Sequence, residues 1–177
     1  GGVLTAVDAV ADGRVYNAFC AIRPPGHHAR NTGREEGFCC FNNVAIAARY
    51  LQQIRGFQKI LIIDWDYHHG NATEEAFYED PTVLFFSTHN WRVYPGTGDP
   101  RRKGAGKGMG YTINVHFSCG ASDTDFYRVW DEFLIPAAGK FKPDFVLISA
   151  GFDSRKDDPL GCFEISDIGF MNLTRKA

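Results

Sequence analysis

The chain has 177 residues, of which 44% are hydrophobic, 23% charged and 14% aromatic, and its formal net charge is −2. These proportions are typical of a globular domain with a sizeable core and exclude intrinsic disorder. No apolar run approaches the roughly 20 residues of a membrane-spanning helix, and a near-neutral chain lacks the excess of positive charge that phosphate contacts need, so we expect neither a membrane nor nucleic acid as a direct partner.

The first predicted elements are a strand, a helix and a second strand. Residues 18–22 form a short apolar run before Pro24-Pro25-Gly26 and predict a buried strand that delivers His27 and His28 to a loop. Apolar residues spaced three and four apart predict an amphipathic helix over residues 42–55, with Asn42 or Asn43 as its N-cap. Residues 59–63 are branched and apolar, which favours a strand covered on both faces.

The same alternation continues along the rest of the chain. We expect a helix near residues 72–78, strands at 83–87, 111–117 and 144–149, and a long loop over residues 88–110. A helix over residues 123–140 is opened by the cap signature Ser122-x-x-Asp125 and interrupted at Pro136. Buried strands alternating with helices indicate an α/β domain with a largely parallel sheet.

Polar residues gather directly after three of the predicted strands. In an open parallel sheet the ligand crevice lies outside these strand ends, so the three groups are expected to converge. Asp66 and His68 are two residues apart in an extended segment and point to the same side. With Asp153 they would supply three ligands to one metal ion and leave positions open for water and substrate, as in a catalytic site. A lone strand-end Asp is more often a cap or a surface carboxylate.

Two adjacent histidines precede this cluster in the chain. His27 and His28 follow Arg23-Pro24-Pro25-Gly26, and a histidine pair in a loop is often no more than two hydrogen-bonded side chains. Beside a metal they would instead transfer protons. Asp64 and Asn71 are available to orient the two rings.

The five cysteines include no CxxC pair and no spacing typical of a disulfide framework or a zinc knuckle. We therefore expect reduced thiols and, since the N-terminus also lacks the pattern of a secretory signal, an intracellular and cytoplasmic protein.

Six segments in this order resemble the histone deacetylase family, most closely its class II-like members and the acetylpolyamine amidohydrolases. They are residues 23–29 (RPPGHHA), 37–39 (GFC), 42–43 (NN), 64–71 (DWDYHHGN), 94–98 (YPGTG) and 149–153 (SAGFD). The resemblance covers essentially the whole chain, and the ordered set is far more specific than any single motif. It implies the three-layer arginase/deacetylase α/β fold and the hydrolysis of an N-acetyl amide, typically acetyl-lysine.

The resemblance also assigns roles to residues. Asp66, His68 and Asp153 would bind Zn²⁺, or Fe²⁺ in its place. His27, oriented by Asp64, and His28, oriented by Asn71, would be the catalytic base and acid that serve a metal-activated water. The walls of the acyl-lysine tunnel would be Gly37, Phe38 and Tyr94.

Family members also bind structural potassium close to the zinc. The inner potassium site would correspond to Asp64, Asp66, His68, Ser87 and Thr88, and an outer site to Phe77, Asp80, Val83 and Tyr111.

The family also has segments that this chain does not match. These are a glycine-rich loop after the second zinc-binding Asp, whose Tyr stabilises the oxyanion, and an N-terminal strand, helix and rim loop. We therefore expect residues 1–177 to be a central part of one catalytic domain, with a sheet incomplete at both ends.

Three alternatives remain at the level of function. The substrate would be acetyl-lysine in proteins or an acetylated polyamine. A module of another class would bind acetylated ligands or partners without catalysis while retaining the metal. An arginase-like manganese hydrolase is disfavoured, because His69 and Gly70 stand where a bridging carboxylate is needed. The oligomeric state is not predicted.

Overall fold

A four-stranded parallel sheet is the centre of the molecule, in a computed structural model that describes residues 1–177. The strands are β1 (Ile60–Asp64), β2 (Val83–Asn90), β3 (Thr112–Phe117) and β4 (Phe145–Ser149), in the order β3-β2-β1-β4. Ile62 of β1 pairs with Phe85 of β2 on one side and Leu147 of β4 on the other. The carboxyl ends of all four strands therefore lie along one edge of the sheet.

Six α-helices lie before, between and after these strands. They are α1 (Gly2–Ala11), α2 (Asn43–Gln53), α3 (Asn71–Phe77), α4 (Asp123–Val129), α5 (Ile135–Phe141) and α6 (Asp167–Lys176), with a 3₁₀ turn at Gly106–Gly108. Asn42 caps α2, since its side chain accepts a hydrogen bond from the N of Ala45 at 3.1 Å. None of the helices combines the length and the apolar character that crossing a membrane would require.

Two hydrophobic cores lie on opposite faces of the sheet. Leu61 and Ile63 of β1 point into one core, where they meet Trp130 and the rest of the α4–α6 layer. Ile60 and Ile62 point into the other, together with Leu51 of α2. Alternate residues of one strand are thus buried on both faces, which confirms the three-layer α/β architecture expected from the apolar strand sequences.

The predicted strand at residues 18–22 is wrong. This segment pairs with no strand of the sheet, and the side chain of Phe19 is 73% exposed. A short apolar run predicts burial, but a strand also needs a partner for its backbone N–H and C=O groups. Residues 18–22 have no such partner, since the pairings of the four strands do not include them.

The helix expected over residues 123–140 forms with a local change of winding. A π-helical turn, Trp130–Leu134, joins α4 to α5, and Ile135 N–H donates to the carbonyl of Trp130, five residues back. Pro136, at the start of α5, has no N–H to donate to the preceding turn, which explains why the regular hydrogen-bond pattern shifts just before it.

The expectation that all cysteines are reduced is also wrong. Cys119 and Cys162 form a disulfide, whereas Cys20, Cys39 and Cys40 are free thiols. Cys119 and Cys162 are 43 residues apart, a spacing that matches no short cysteine motif, so only the fold could reveal the pair. The intracellular location, inferred partly from reduced thiols, stays a prediction.

Candidate metal and acid–base site

The sequence-predicted site residues meet at the carboxyl edge of the sheet. β1 ends at Asp64 and continues directly into Asp66 and His68, while β4 ends at Ser149 and continues to Asp153. Because β1 and β4 are neighbours with Asp64 opposite Ser149, the segments that follow them emerge side by side. Parallel pairing therefore brings together residues that are far apart in the chain.

Asp66, His68 and Asp153 form a cluster able to hold one metal ion. Each offers a ligand atom, and these atoms lie within 4.8 Å of one another. The Nδ1 of His68 is 2.7 Å from Oδ2 of Asp153 and 3.2 Å from Oδ1 of Asp66. Ligand atoms that surround a tetrahedral Zn²⁺ at 2.0–2.2 Å lie about 3.4 Å apart, so the donor set and its spacing fit such an ion. Three protein ligands leave further coordination positions open.

The backbone around the cluster fixes two of these side chains. The N–H of Tyr67 donates to Oδ1 of Asp153 at 2.9 Å, and the N–H of His68 donates to Oδ1 of Asp66 at 2.8 Å. Gly151 packs so closely against the Asp66 carboxylate that a Cβ atom there would overlap it. The SAGFD segment therefore needs a glycine at this position for a steric reason.

His27 and Asp64 form a buried pair beside the cluster. Nδ1 of His27 donates to Oδ2 of Asp64 at 2.9 Å, and the Asp64 side chain is fully buried. Nε2 of the same ring faces Oδ2 of Asp66 at 3.7 Å. Burial alone would lower the pKa of His27, but the carboxylates of Asp64, Asp66 and Asp153 raise it to about 9.

His28 lies next to this pair in a different electrostatic environment. Its Nδ1 donates to Oδ1 of Asn71 at 2.7 Å, which leaves the lone pair on Nε2. Burial, followed by the neighbouring His27 imidazolium, lowers the pKa of His28 to about 4. The two rings are 4.0 Å apart between centroids, so one protonated and one neutral imidazole stand side by side.

The predicted tunnel residues border His28. The Tyr94 ring packs edge-on against the His28 ring, with centroids 4.9 Å apart. Gly37 approaches both rings: a Cβ atom there would overlap Cδ2 of His28 and lie 3.0 Å from Cε1 of Tyr94. Phe38 follows with a φ of 64° and an 84% exposed side chain. A large apolar side chain held in that backbone conformation and facing solvent is typical of a binding surface.

The residues assigned to the inner potassium site lie on neighbouring strand ends. Asp64 of β1 is paired with Ser87 of β2, and the hydroxyl of Thr88 lies 3.5 Å from the carbonyl oxygen of Asp64. The residues assigned to the outer site surround the start of β2, and Asp80 there accepts a hydrogen bond from Arg49 at 2.6 Å. Potassium at either site stays a prediction.

Several polar residues near the site had no role in the sequence interpretation. His69, Glu74, His89 and Asn114 are all buried, and the two histidines contact the segment that follows Tyr94. A signal was present, because Ser87 and His89 are two residues apart in the polar second half of β2 and so point to the same side.

Comparison with known proteins gives a family match over the whole length: the model of the histone deacetylase domain matches residues 1–177. A probable deacetylase of Archaeoglobus fulgidus is 45% identical over 177 residues, which are 100% of this chain and 49% of the archaeal protein. Histone deacetylase 15 of Arabidopsis thaliana is 45% identical over 167 residues, covering 92% of this chain and 30% of the plant protein.

A solved structure shows the same fold. The crystal structure of the HDA15 HD domain superposes with a TM-score of 0.93 at 42% sequence identity, covering 98% of this chain and 51% of that domain. The chain therefore spans about half the length of the archaeal relative and of the solved domain, and less of the Arabidopsis protein.

Proposed function

Because the chain belongs to the histone deacetylase family, we propose that it forms the metal and acid–base centre of an enzyme that removes acetyl groups from lysine side chains of proteins. One observation supports this most strongly: two adjacent imidazoles with pKa values driven apart stand beside an open three-ligand cluster. Activation of water needs a neutral base, and the negative charge that develops on the substrate is stabilised by a group that stays protonated beside that base.

Zn²⁺ is the proposed metal, held by Asp66, His68 and Asp153. Two carboxylates and one imidazole suit a borderline first-row cation, and Fe²⁺ accepts the same donors. When bound, the cation supplies a Lewis acid that polarises a carbonyl and makes water more acidic.

The protein's own groups handle the protons. Nε2 of His28 is unprotonated near neutral pH and is the proposed base that takes a proton from the attacking water. His27, with a pKa near 9 and a hydrogen bond to Asp64, stays charged beside it and stabilises negative charge that develops on the substrate. Once protonated, His28 returns its proton to the lysine amine as the C–N bond breaks.

The substrate side chain is proposed to reach His28 between Tyr94 and Phe38. An acetyl-lysine side chain is a long aliphatic stem, so aromatic walls would bury it and bring the amide to the imidazoles. Several relatives are named histone deacetylases, which favours protein lysine over a polyamine as the acetylated substrate.

The test is turnover by the natural full-length protein of two substrates, an acetyl-lysine peptide and an acetylated polyamine. We expect preference for the peptide and a loss of about a hundredfold or more in kcat for His28→Ala. His116→Ala, which removes an exposed imidazole on β3, is the matched control and should keep full activity. Preference for the polyamine would make that the substrate, and tight binding of the peptide without turnover would indicate a non-catalytic module.

A further inference from the structure

Two buried histidines lie under the tunnel wall and outside the metal cluster. His69 and His89 are 1% and 0% exposed, and their rings are 4.6 Å apart between centroids. A buried imidazole costs free energy unless its nitrogens find partners. The partners of both rings lie in residues 94–98, called here the Tyr94 loop, and in the elements beneath that loop.

His69 contacts the side chain of Thr97 in this loop. Its Nδ1 is 2.8 Å from Oγ1 of Thr97, and its Nε2 lies 3.2 Å from Oε2 of Glu74 on α3, an ion-pair distance without the geometry of a hydrogen bond. Glu74 is itself fixed, because its two carboxylate oxygens accept hydrogen bonds from Arg102 at 2.6 Å and from Asn114 at 2.5 Å. The His69 ring therefore links a rigid part of the core to Thr97.

His89 binds the backbone of the same loop. Its Nε2 donates to the carbonyl of Gly98 at 3.0 Å, so its Nδ1 accepts the hydrogen bond from the hydroxyl of Ser87 at 2.9 Å. Gly98 has a φ of +88°, and a Cβ atom there would overlap Nε2 of His89. The loop thus touches the imidazole without room for a side chain.

The other end of the loop carries Tyr94. The N–H of Gly96 donates to the carbonyl of Val93 at 2.8 Å, which closes a tight turn around Tyr94. Thr97 and Gly98 follow directly, so the two histidines hold the loop only three and four residues after Tyr94. The segment between Tyr94 and these contacts is therefore too short for the tyrosine to move independently of them.

From these contacts, and resting on the proposed function, we infer that His69 and His89 are positioning residues that hold the Tyr94 loop so that Tyr94 stays edge-on against His28. Neither ring contacts the substrate in this arrangement. Their effect reaches the reaction through the tunnel wall, which binds the aliphatic stem equally in the ground state and in the transition state. Loosening the loop should therefore raise KM and leave kcat nearly unchanged.

The His69 contact is tested with Thr97, which lies at the surface and can be changed without opening the core. Thr97→Val removes the hydroxyl and keeps the shape, whereas Thr97→Ser keeps the hydroxyl. In the natural full-length protein, Thr97→Val should raise KM for an acetyl-lysine peptide by about three- to tenfold, with kcat within about twofold. Hydrogen–deuterium exchange in a peptide spanning residues 93–99 should become about fivefold faster. Thr97→Ser should match the parent protein in both measurements.

Exchange that is unchanged in Thr97→Val, or changed equally in both variants, would overturn the His69 part of the inference. The exchange readout does not need catalysis. A parent protein that shows no turnover, but in which only Thr97→Val exchanges faster, would refute the proposed function and leave the positioning role standing.

The close packing of Gly98 against His89 and His69 is tested with two glycines of the same loop. Gly96 and Gly98 have similar positive φ values, +72° and +88°, so an alanine imposes similar backbone strain at either position. A Cβ on Gly96 meets nothing within 4 Å, whereas one on Gly98 would overlap the ring of His89 and also lie 2.8 Å from Cδ2 of His69. Gly98→Ala should therefore raise KM and speed exchange in residues 93–99 well beyond Gly96→Ala. Equal effects of the two substitutions would show that the packing of Gly98 against His89 and His69 does not hold the loop.

Discussion

His27 and His28 are neighbours in the chain, yet their surroundings drive their pKa values in opposite directions. His27 donates to the buried carboxylate of Asp64, and three carboxylates raise its pKa above that of a free imidazole. His28 donates to a neutral amide, that of Asn71, and its pKa falls through burial and through the charge on His27. The partner of each ring thus decides which imidazole is free to accept a proton.

Asn71→Asp tests this difference. A carboxylate beside Nδ1 stabilises the imidazolium form of His28 and therefore raises its pKa, by roughly one unit or more. Activity that depends on neutral His28 is lost as the pH falls through that pKa, so the acidic limb of the kcat/KM profile should move to higher pH. The measurement is a pH–rate profile with an acetyl-lysine peptide.

Asn172→Asp is the control for the added charge, since Asn172 lies on α6 and donates to the hydroxyl of Tyr127. That variant should keep the parent profile. An acidic limb that stays in place or moves to lower pH in Asn71→Asp would contradict the assignment of His28 as the neutral base.

The strands and helices place these residues, and much of that placement could be predicted. Branched apolar runs are typical of strands covered on both faces, and β1 and β4 formed within one residue of the expected bounds. Polar residues after parallel strands were expected to converge, and Asp66, His68 and Asp153 do lie together. The neighbour relation of β1 and β4 itself could not be predicted, because strand order depends on contacts distant in the chain.

Residues 18–22 and α1 are two segments whose structure could not be predicted from the local sequence pattern. The apolar run at 18–22 has the composition of a strand but no pairing partner, so its backbone stays outside the sheet. Helix α1, formed by Gly2–Ala11, was not predicted, and only Val7 of its residues is fully buried. Its packing against α2 is a tertiary interaction that a sequence window does not contain.

The start of α4 offers a test of a local interaction that was predicted. Oδ2 of Asp125 accepts hydrogen bonds from the N and from the Oγ of Ser122, at 3.0 and 3.1 Å. Asp125→Ala removes both, and we expect the free energy of unfolding to fall by about 1 kcal/mol. Urea unfolding measures this difference. Glu132→Ala, an exposed acidic residue of the adjoining turn, should change it little, and equal stability of the two variants would contradict the capping role.

Across the whole molecule, a disulfide joins the segment after β3 to the segment between Asp153 and α6. Sγ of Cys162 also lies 3.1 Å from the hydroxyl of Tyr67. The backbone N–H of Tyr67 in turn donates a hydrogen bond to the carboxylate of Asp153. The crosslink therefore lies next to the segment that carries Asp153, one of the proposed metal ligands. None of this was visible in the cysteine spacing.

Cys119→Ser tests the contribution of the crosslink. Closing a loop between cysteines 43 residues apart restricts the unfolded chain, so its loss should lower the free energy of unfolding by roughly 2–4 kcal/mol without reductant. With a strong thiol reductant, parent and variant should become nearly equal. Cys40→Ser removes an exposed free thiol and should match the parent in both conditions. If the free energy of unfolding of the parent protein did not change with reductant, the disulfide would not be present.

The central claim is that Asp66, His68 and Asp153 hold one catalytic Zn²⁺. Zinc content per chain, measured by mass spectrometry on the natural full-length protein after dialysis, tests it most directly. The parent and Asp131→Ala, which changes an exposed carboxylate paired with Lys176, should each retain about one zinc per chain, while Asp66→Ala and Asp153→Ala should retain almost none. Full zinc content in Asp66→Ala and Asp153→Ala would contradict the claim.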